Sequence, residues 1–198
     1  DTSKKQLIIS INESANSYFQ QYLASSLGTA TRLYLEQRSI NSGSLGKFEL
    51  GLAPPDGESL KNHLINQGFE LEDLIEAGIA RIHETGPARD IFRNRLIIPI
   101  RNSKSELVGF GGRTLNEMGP KYLNSQKTPI FDKSRLLYGM YLAKEDAHEN
   151  GLVVVEGYMD TIMAHQNGFT NVVASMGTAL TESQVSEIRR LTSDVIMA

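Results

Sequence analysis

The chain has 198 residues, 40% of them apolar, with 20 basic and 23 acidic side chains and no cysteine. That is room for one large domain or two small ones. No apolar run approaches the roughly 20 residues that span a bilayer, and without cysteine neither a disulfide nor a thiolate-bound zinc site is possible, so a reducing compartment is the default. The net charge of −3 argues weakly against a nucleic-acid partner, but the average hides a segregation. Residues 86–141 carry ten basic and four acidic side chains, whereas the rest of the chain carries ten basic and nineteen acidic ones. One positive surface on an acidic protein is the footprint of a polyanion site, unless the clustering is chance on solvated loops.

Residues 1–11 read as a tail or linker, and their short apolar stretch, Leu7 to Ile9, is no signal peptide. Residues 12–26 place Ala15, Tyr18, Phe19, Tyr22 and Leu23 at helical spacing, which makes one face apolar. Gly28 interrupts the pattern, and residues 29–38 resume it with Leu33 and Leu35. Residues 41–46 are a turn-rich connector, and residues 48–53 a short strand stopped by Pro54 and Pro55. Residues 57–67 and 70–77 are two short helices, each followed by a glycine (Gly68, Gly78) suited to a C-terminal cap. His63 and His83 have no partner at metal-ligand spacing and read as ordinary surface or core residues.

Residues 96–100 and 107–110 are apolar runs around the polar residues 102–105, which predicts a hairpin. Pro99 limits pairing there and points to an edge strand or a bulge. Residues 142–149 form a helix closed by Gly151. The pattern then changes to strand 152–156, helix 158–167, strand 171–174, helix 181–191 and strand 194–197. Thr181 and Gln184 form a capping box at the start of the second of these helices. Such βαβαβ alternation predicts a parallel sheet with right-handed crossovers. The expected fold is mixed α/β: an N-terminal α+β subdomain over residues 12–145, then a parallel sheet with flanking helices over 146–198. Because the sequence stops inside an apolar strand, it reads as a fragment of a longer protein.

Two kinds of stretch carry chemistry. Leu152 to Val155 run straight into Glu156 and Gly157. A short Val-rich run reads as a buried parallel strand, and ligands gather outside the carboxyl ends of such strands. Glu156 is therefore a candidate for metal or acid–base work, or else a capping residue on the turn into the next helix. The second kind is basic: Arg93-Asn94-Arg95, then Gly109-Phe110-Gly111-Gly112-Arg113, then Pro120-Lys121-Tyr122-Leu123-Asn124-Ser125. Glycines let backbone N–H groups approach phosphate, Arg offers paired donors, Lys a point charge and Tyr a stacking face. Taken singly each is weak, and a solvated loop or a half-buried anchor accounts for it equally well.

In this order, F-R-N-R-L-I-I-P-I, V-G-F-G-G-R, P-K-Y-L-N-S, F-D-K-S-R-L-L-Y-G, V-V-V-E-G-Y-M-D and V-A-S-M-G-T-A-L-T closely resemble bacterial DNA primase, the DnaG family. The likeness runs from about residue 12 to the end and is densest over residues 92–181. It implies an RNA polymerase core whose first part has a basic face and whose second part is a TOPRIM domain, a small parallel sheet that holds metal. The implied activity is template-directed synthesis of a short RNA primer on single-stranded DNA from ribonucleoside triphosphates. The implied cofactor is Mg²⁺ or Mn²⁺, with no zinc in this segment. By the resemblance Glu156 is the catalytic and metal-binding glutamate, with Asp160 one helical turn on as its support. Arg93, Arg95, Arg113, Lys121, Tyr122, Asn124 and Lys133 match the groove that holds template, primer or nucleotide phosphates. Residues 175–178 would form the loop beside Glu156. The family completes its metal site with an Asp-x-Asp pair after the third strand, a motif this sequence lacks, so little activity is expected of the segment alone. The implied partners are the template, the primer, the triphosphates and, through a C-terminal domain, a replicative helicase. The implied state is a monomer in the bacterial cytoplasm or an organelle of bacterial descent. Two rival readings are a topoisomerase or recombination-type TOPRIM enzyme and a single-stranded DNA-binding module without chemistry. Ser175 as an acyl-transfer nucleophile is set aside, since no G-x-S-x-G elbow surrounds it.

Overall fold

A computed structural model of the chain describes residues 2–82, 86–116, 119–177 and 179–198; His83 and Thr178 lie outside them. The chain divides into two units. One gathers the residues up to Pro99 with Leu107–Phe131, the other Ile100–Glu106 with Asp132–Ala198.

In the first unit the long helix α1 (Thr2–Ala24) carries Ile8, Ile11, Ala15, Phe19 and Leu23 along one buried stripe. The expected tail is therefore the first half of this helix. Ile8 and Ile11 are withdrawn from water, and burying each contributes about 1.5–3 kcal/mol. The helices α2 (Thr29–Gln37), α3 (Ser42–Lys47), α4 (Ser59–Asn66) and α5 (Leu71–Glu76) follow. The connector expected at 41–46 is the short helix α3, because the Asn41 side chain accepts from Ser44 N at 2.8 Å and caps it. Gly68 and Gly78 do end α4 and α5 with left-handed φ of +97° and +72°.

Strand β1 (Gly51–Ala53) lies beneath α1. A Cβ at Gly51 would stand 2.5 Å from Cβ of Phe19, so glycine is what lets helix and sheet close. Two short strands, β2 (Ala80–Arg81) and β3 (Arg89–Asp90), pair antiparallel with each other. The sheet continues with β4 (Arg95–Arg101), β5 (Leu107–Thr114) and β6 (Tyr122–Asn124) in the order β1-β4-β5-β6. Phe110 of β5 meets Phe19 and Phe92 edge-on, at 5.6 and 6.2 Å between ring centroids. Pro99 sits in an inner strand, not at an edge. It lies two residues beyond Ile97, the last residue of β4 that pairs with β1.

The second unit holds α6 (Met140–Asn150), β7 (Leu152–Val155), α7 (Tyr158–Gln166), β8 (Val172–Ala174), α8 (Glu182–Leu191) and β9 (Val195–Met197). Its sheet has the order β8-β7-β9 with both pairings parallel, as the alternation predicts. Met140, Ala143 and Ala147 of α6 share a core with Leu152, Val154, Val173 and Ile188. By packing, α6 goes with this unit, because it buries its apolar face on this sheet. No helix among the described residues is long and apolar enough to cross a membrane.

Helix α4 has no cap from its own N-terminal residue. Asp90 supplies it from β3: its carboxylate accepts from Leu60 N at 3.1 Å and Lys61 N at 2.9 Å. Burial raises the Asp90 pKa above the ordinary carboxylate value despite these two donors. An acid so raised favours the fold while protonated, and that contribution is lost as pH rises through its folded pKa. Asp90→Ala should cost about 1–2 kcal/mol in denaturant unfolding. Against Asp90→Asn, which cannot titrate, the native chain should gain relative stability as pH falls from neutrality toward the carboxylate range.

Candidate functional site

The second unit builds a pocket where three parallel strands end. Ser175 N donates to Val155 O at 3.1 Å, Gly177 N to Glu156 O at 3.1 Å, and Ala198 N to Val154 O at 3.0 Å. The chain therefore stays laddered one residue past β7 and releases Glu156 at the carboxyl end of the middle strand. Met176 and Gly177 both adopt left-handed φ, +63° and +85°, which turns the loop back so that the Gly177 N–H can reach Glu156. The pocket measures about 380 Å³ and is lined by Val155, Glu156, Ser175, Gly177, Leu180 and Met197 among others.

The Glu156 side chain is exposed and makes no hydrogen bond or ion pair among the described residues. It does not cap α7. Gly157 occupies that position, and the acidic residue in the first turn is Asp160. Asp160 folds back toward Gly157, where a Cβ would meet its Oδ2 at 2.8 Å. A carboxylate there suits the positive end of α7. No hydrogen bond joins Asp160 to Glu156 among the described residues. A hard divalent cation prefers about six oxygen ligands. No group of three or more His, Cys, Asp or Glu among the described residues could hold a metal ion. Glu156 brings one carboxylate to the pocket, so these residues do not by themselves form a complete metal cage.

The first unit carries most of the basic candidates on β4, β5 and β6. Arg113 and Tyr122 are cross-strand partners. Arg113 Nη1 donates to Tyr122 Oη at 2.8 Å, with the guanidinium 5.5 Å from the ring centroid. Lys121 Nζ stands 6.0 Å from the same ring and is itself exposed. Two cations thus lie within reach of one aromatic ring. Arg95 is as buried as Arg113, each 8% exposed, and its Nη1 donates to Gly112 O at 3.2 Å and Pro120 O at 2.9 Å. Burial lowers its pKa below the ordinary arginine value. Arg93 is exposed, makes no hydrogen bond or ion pair among the described residues, and runs its stem past Gly57. Asn124 pairs with Gly111 and is half-buried. Lys133 lies in the second unit, in a one-turn 3₁₀ helix at Lys133–Arg135.

The glycines of the Gly109–Arg113 stretch do not make a phosphate cradle. A Cβ at Gly109 would stand 2.6 Å from the Phe131 ring, and one at Gly112 would stand 2.8 Å from Phe92 and 3.0 Å from Arg95 Cδ. They are small because aromatic rings lie against the strand. Asp90 and the wider role of Gln184 escaped sequence reading, since both depend on contacts tens of residues away in the chain.

Comparison with known proteins agrees in both halves. Residues 18–144 match the model of the DNA primase catalytic core, N-terminal domain, and residues 150–198 that of the Toprim domain. A DNA primase of Halalkalibacterium halodurans is 44% identical over 98% of this chain and 33% of its own length. The chain spans about a third of the curated relatives it matches. A DnaG primase catalytic domain solved bound to single-stranded DNA superimposes with a TM-score of 0.90 at 37% identity, over 100% of this chain and 64% of that one. The RNA polymerase domain of Mycobacterium tuberculosis primase DnaG, in complex with double-stranded DNA, gives 0.91 at 37% identity over 97% and 63%.

The two classes of cation separate by stability. Arg95→Ala should destabilise by about 1–3 kcal/mol, because two carbonyls lose their donor in a buried place. Lys121→Ala should stay within about 0.5 kcal/mol of the native chain. Denaturant unfolding of both variants checks this.

Proposed function

Because the chain belongs to the DnaG family of bacterial DNA primases, we propose that the protein carrying it synthesises short RNA primers on single-stranded DNA from ribonucleoside triphosphates. One observation carries the reading. A carboxylate unengaged among the described residues, Glu156, stands at the carboxyl end of the middle strand of a parallel sheet and lines an open pocket. That is where such sheets take ligands. The match to the primase core ahead of the Toprim domain, over residues 18–144, argues against a topoisomerase or recombination enzyme.

In this reading Glu156 acts at the reacting 3′-oxygen, accepting its proton or holding it in place. It is also the side chain placed to give one oxygen ligand to Mg²⁺ or Mn²⁺, which would neutralise triphosphate charge; the described residues do not complete the coordination. Arg93, Lys121 and Lys133 hold phosphates of template, primer or nucleotide as exposed or half-exposed cations. Tyr122 offers a ring flanked by Arg113 and Lys121. Arg95, Arg113 and Asn124 fix the strands that present them. Asp160 sets the start of α7, which carries the chain away from Glu156. Single-stranded DNA as template follows the DNA-bound relative. The replicative helicase is the proposed partner and the bacterial cytoplasm the proposed compartment.

The test is Glu156→Gln in the full-length protein. Primer synthesis on a single-stranded template should fall by about 10²-fold or more, with affinity for the same template near that of the native protein. Unchanged synthesis would remove Glu156 from the reaction and favour a DNA-binding module without chemistry.

A further inference from the structure

Gln184 is a fully buried amide with every polar atom engaged. Its Oε1 accepts from Thr181 N at 3.0 Å, closing the capping box of α8. Its Nε2 points the other way and donates to Leu136 O at 2.7 Å and Lys133 O at 3.3 Å. Thr181 does likewise: its hydroxyl accepts from Gln184 N at 3.2 Å and donates to Ser134 O at 2.5 Å. The two residues that start α8 therefore also grip three carbonyls of the 133–136 turn, those of Lys133, Ser134 and Leu136. Asp132 holds the turn from its other end, accepting from Ser134 N at 3.1 Å and Ser134 Oγ at 2.6 Å.

This bracing exceeds what a helix cap requires. A capping box is satisfied within its own four residues, and any short polar side chain at position 184 that reached Thr181 N would serve. The second set of bonds, 48 and 51 residues away along the chain, serves the turn alone. The turn presents Lys133 and Arg135, and neither side chain has a hydrogen-bond or ion-pair partner among the described residues. On the other side of the brace, Leu180, the residue before Thr181, lines the Glu156 pocket. One buried side chain thus ties a cation, unpaired among the described residues, to the wall of the carboxylate's pocket.

We infer that Gln184 is a positioning residue: it fixes the turn that carries Lys133 so that this cation meets a phosphate at a set distance from the Glu156 pocket. The inference rests on the polyanion reading of Lys133 given above. A flexible lysine on a loose turn attracts phosphate only by diffuse charge, whereas one on a braced turn loses less freedom when it binds.

The test uses this chain, a single-stranded oligodeoxynucleotide, and the variants Lys133→Ala, Gln184→Met and the two combined. Gln184→Met keeps the volume and removes the three hydrogen bonds of the side chain. Lys133→Ala should lower the slope of log affinity against log salt by about 0.7, one single-strand phosphate contact. Gln184→Met should reproduce most of that loss with Lys133 still in place, and the combined variant should lose no more than Lys133→Ala. Amide exchange at residues 134–136 should quicken about tenfold or more in Gln184→Met, with Val153 and Val154 unchanged. A slope lost in Lys133→Ala but kept in Gln184→Met, or additive losses, overturns the positioning role and leaves the polyanion reading standing. A slope unchanged in Lys133→Ala overturns that reading and the positioning role with it. Should Gln184→Met fail to fold, Thr181→Val, which deletes the hydroxyl that grips Ser134, is judged by the same slopes, with Thr181→Ser expected to restore them.

Discussion

The pairing of β7 with a parallel neighbour on each side governs the second unit. A strand hydrogen-bonded to β8 and β9 at once cannot slip or rotate without breaking both ladders. Its last bonds, Ser175 N to Val155 O and Gly177 N to Glu156 O, fix the backbone at the point where the chain leaves the sheet. The Glu156 carboxylate is consequently held by peptide groups alone, and its side chain keeps its hydrogen-bonding capacity for something else. The left-handed pair Met176 and Gly177 is needed to bring that last N–H round, and the buried Met176 side chain anchors it.

The basic region does not act as one patch. A guanidinium taken out of water needs acceptors, and Arg95 finds them in two carbonyls, while Arg113 finds one in Tyr122. Arg89 is paired with Glu58 at 2.8 Å, and Arg101 donates to Ser105 O. Much of the local positive charge is therefore spent on architecture. Among the described residues Arg93 and Lys121 in one unit, and Lys133 and Arg135 in the other, stand outside that architecture. Arg93 stands between the engaged Arg89 and Arg95, and Lys121 is the residue before Tyr122, which Arg113 holds.

How much could be read beforehand follows from how local each signal is. The βαβαβ alternation and the Thr181–Gln184 capping box depend on residues within one turn or one strand, and they appear as expected. The first half of α1 was hidden because Lys4, Lys5 and Gln6 break its apolar pattern and because Asn12 and Asn16 lie on the buried side, Asn12 donating to Leu107 O. Strand β6 was hidden in the polar Pro120–Ser125 stretch, since its strand character comes only from β5 beside it. The glycines of β5 were misread because the Phe131 and Phe92 rings that require them lie some twenty residues away. For Glu156, the sequence left two roles open, ligand contact and helix capping, and only the placement of Gly157 and Asp160 separates them.

That separation has a direct measurement: the unfolding free energy of Glu156→Ala beside the native chain. A carboxylate that lines an open pocket and bonds to none of the described residues should be removable with a change within about 0.5 kcal/mol. A loss of about 1 kcal/mol or more, the size of a vanished helix cap, would mean that Glu156 serves the fold, contradicting the account of this pocket as a ligand site.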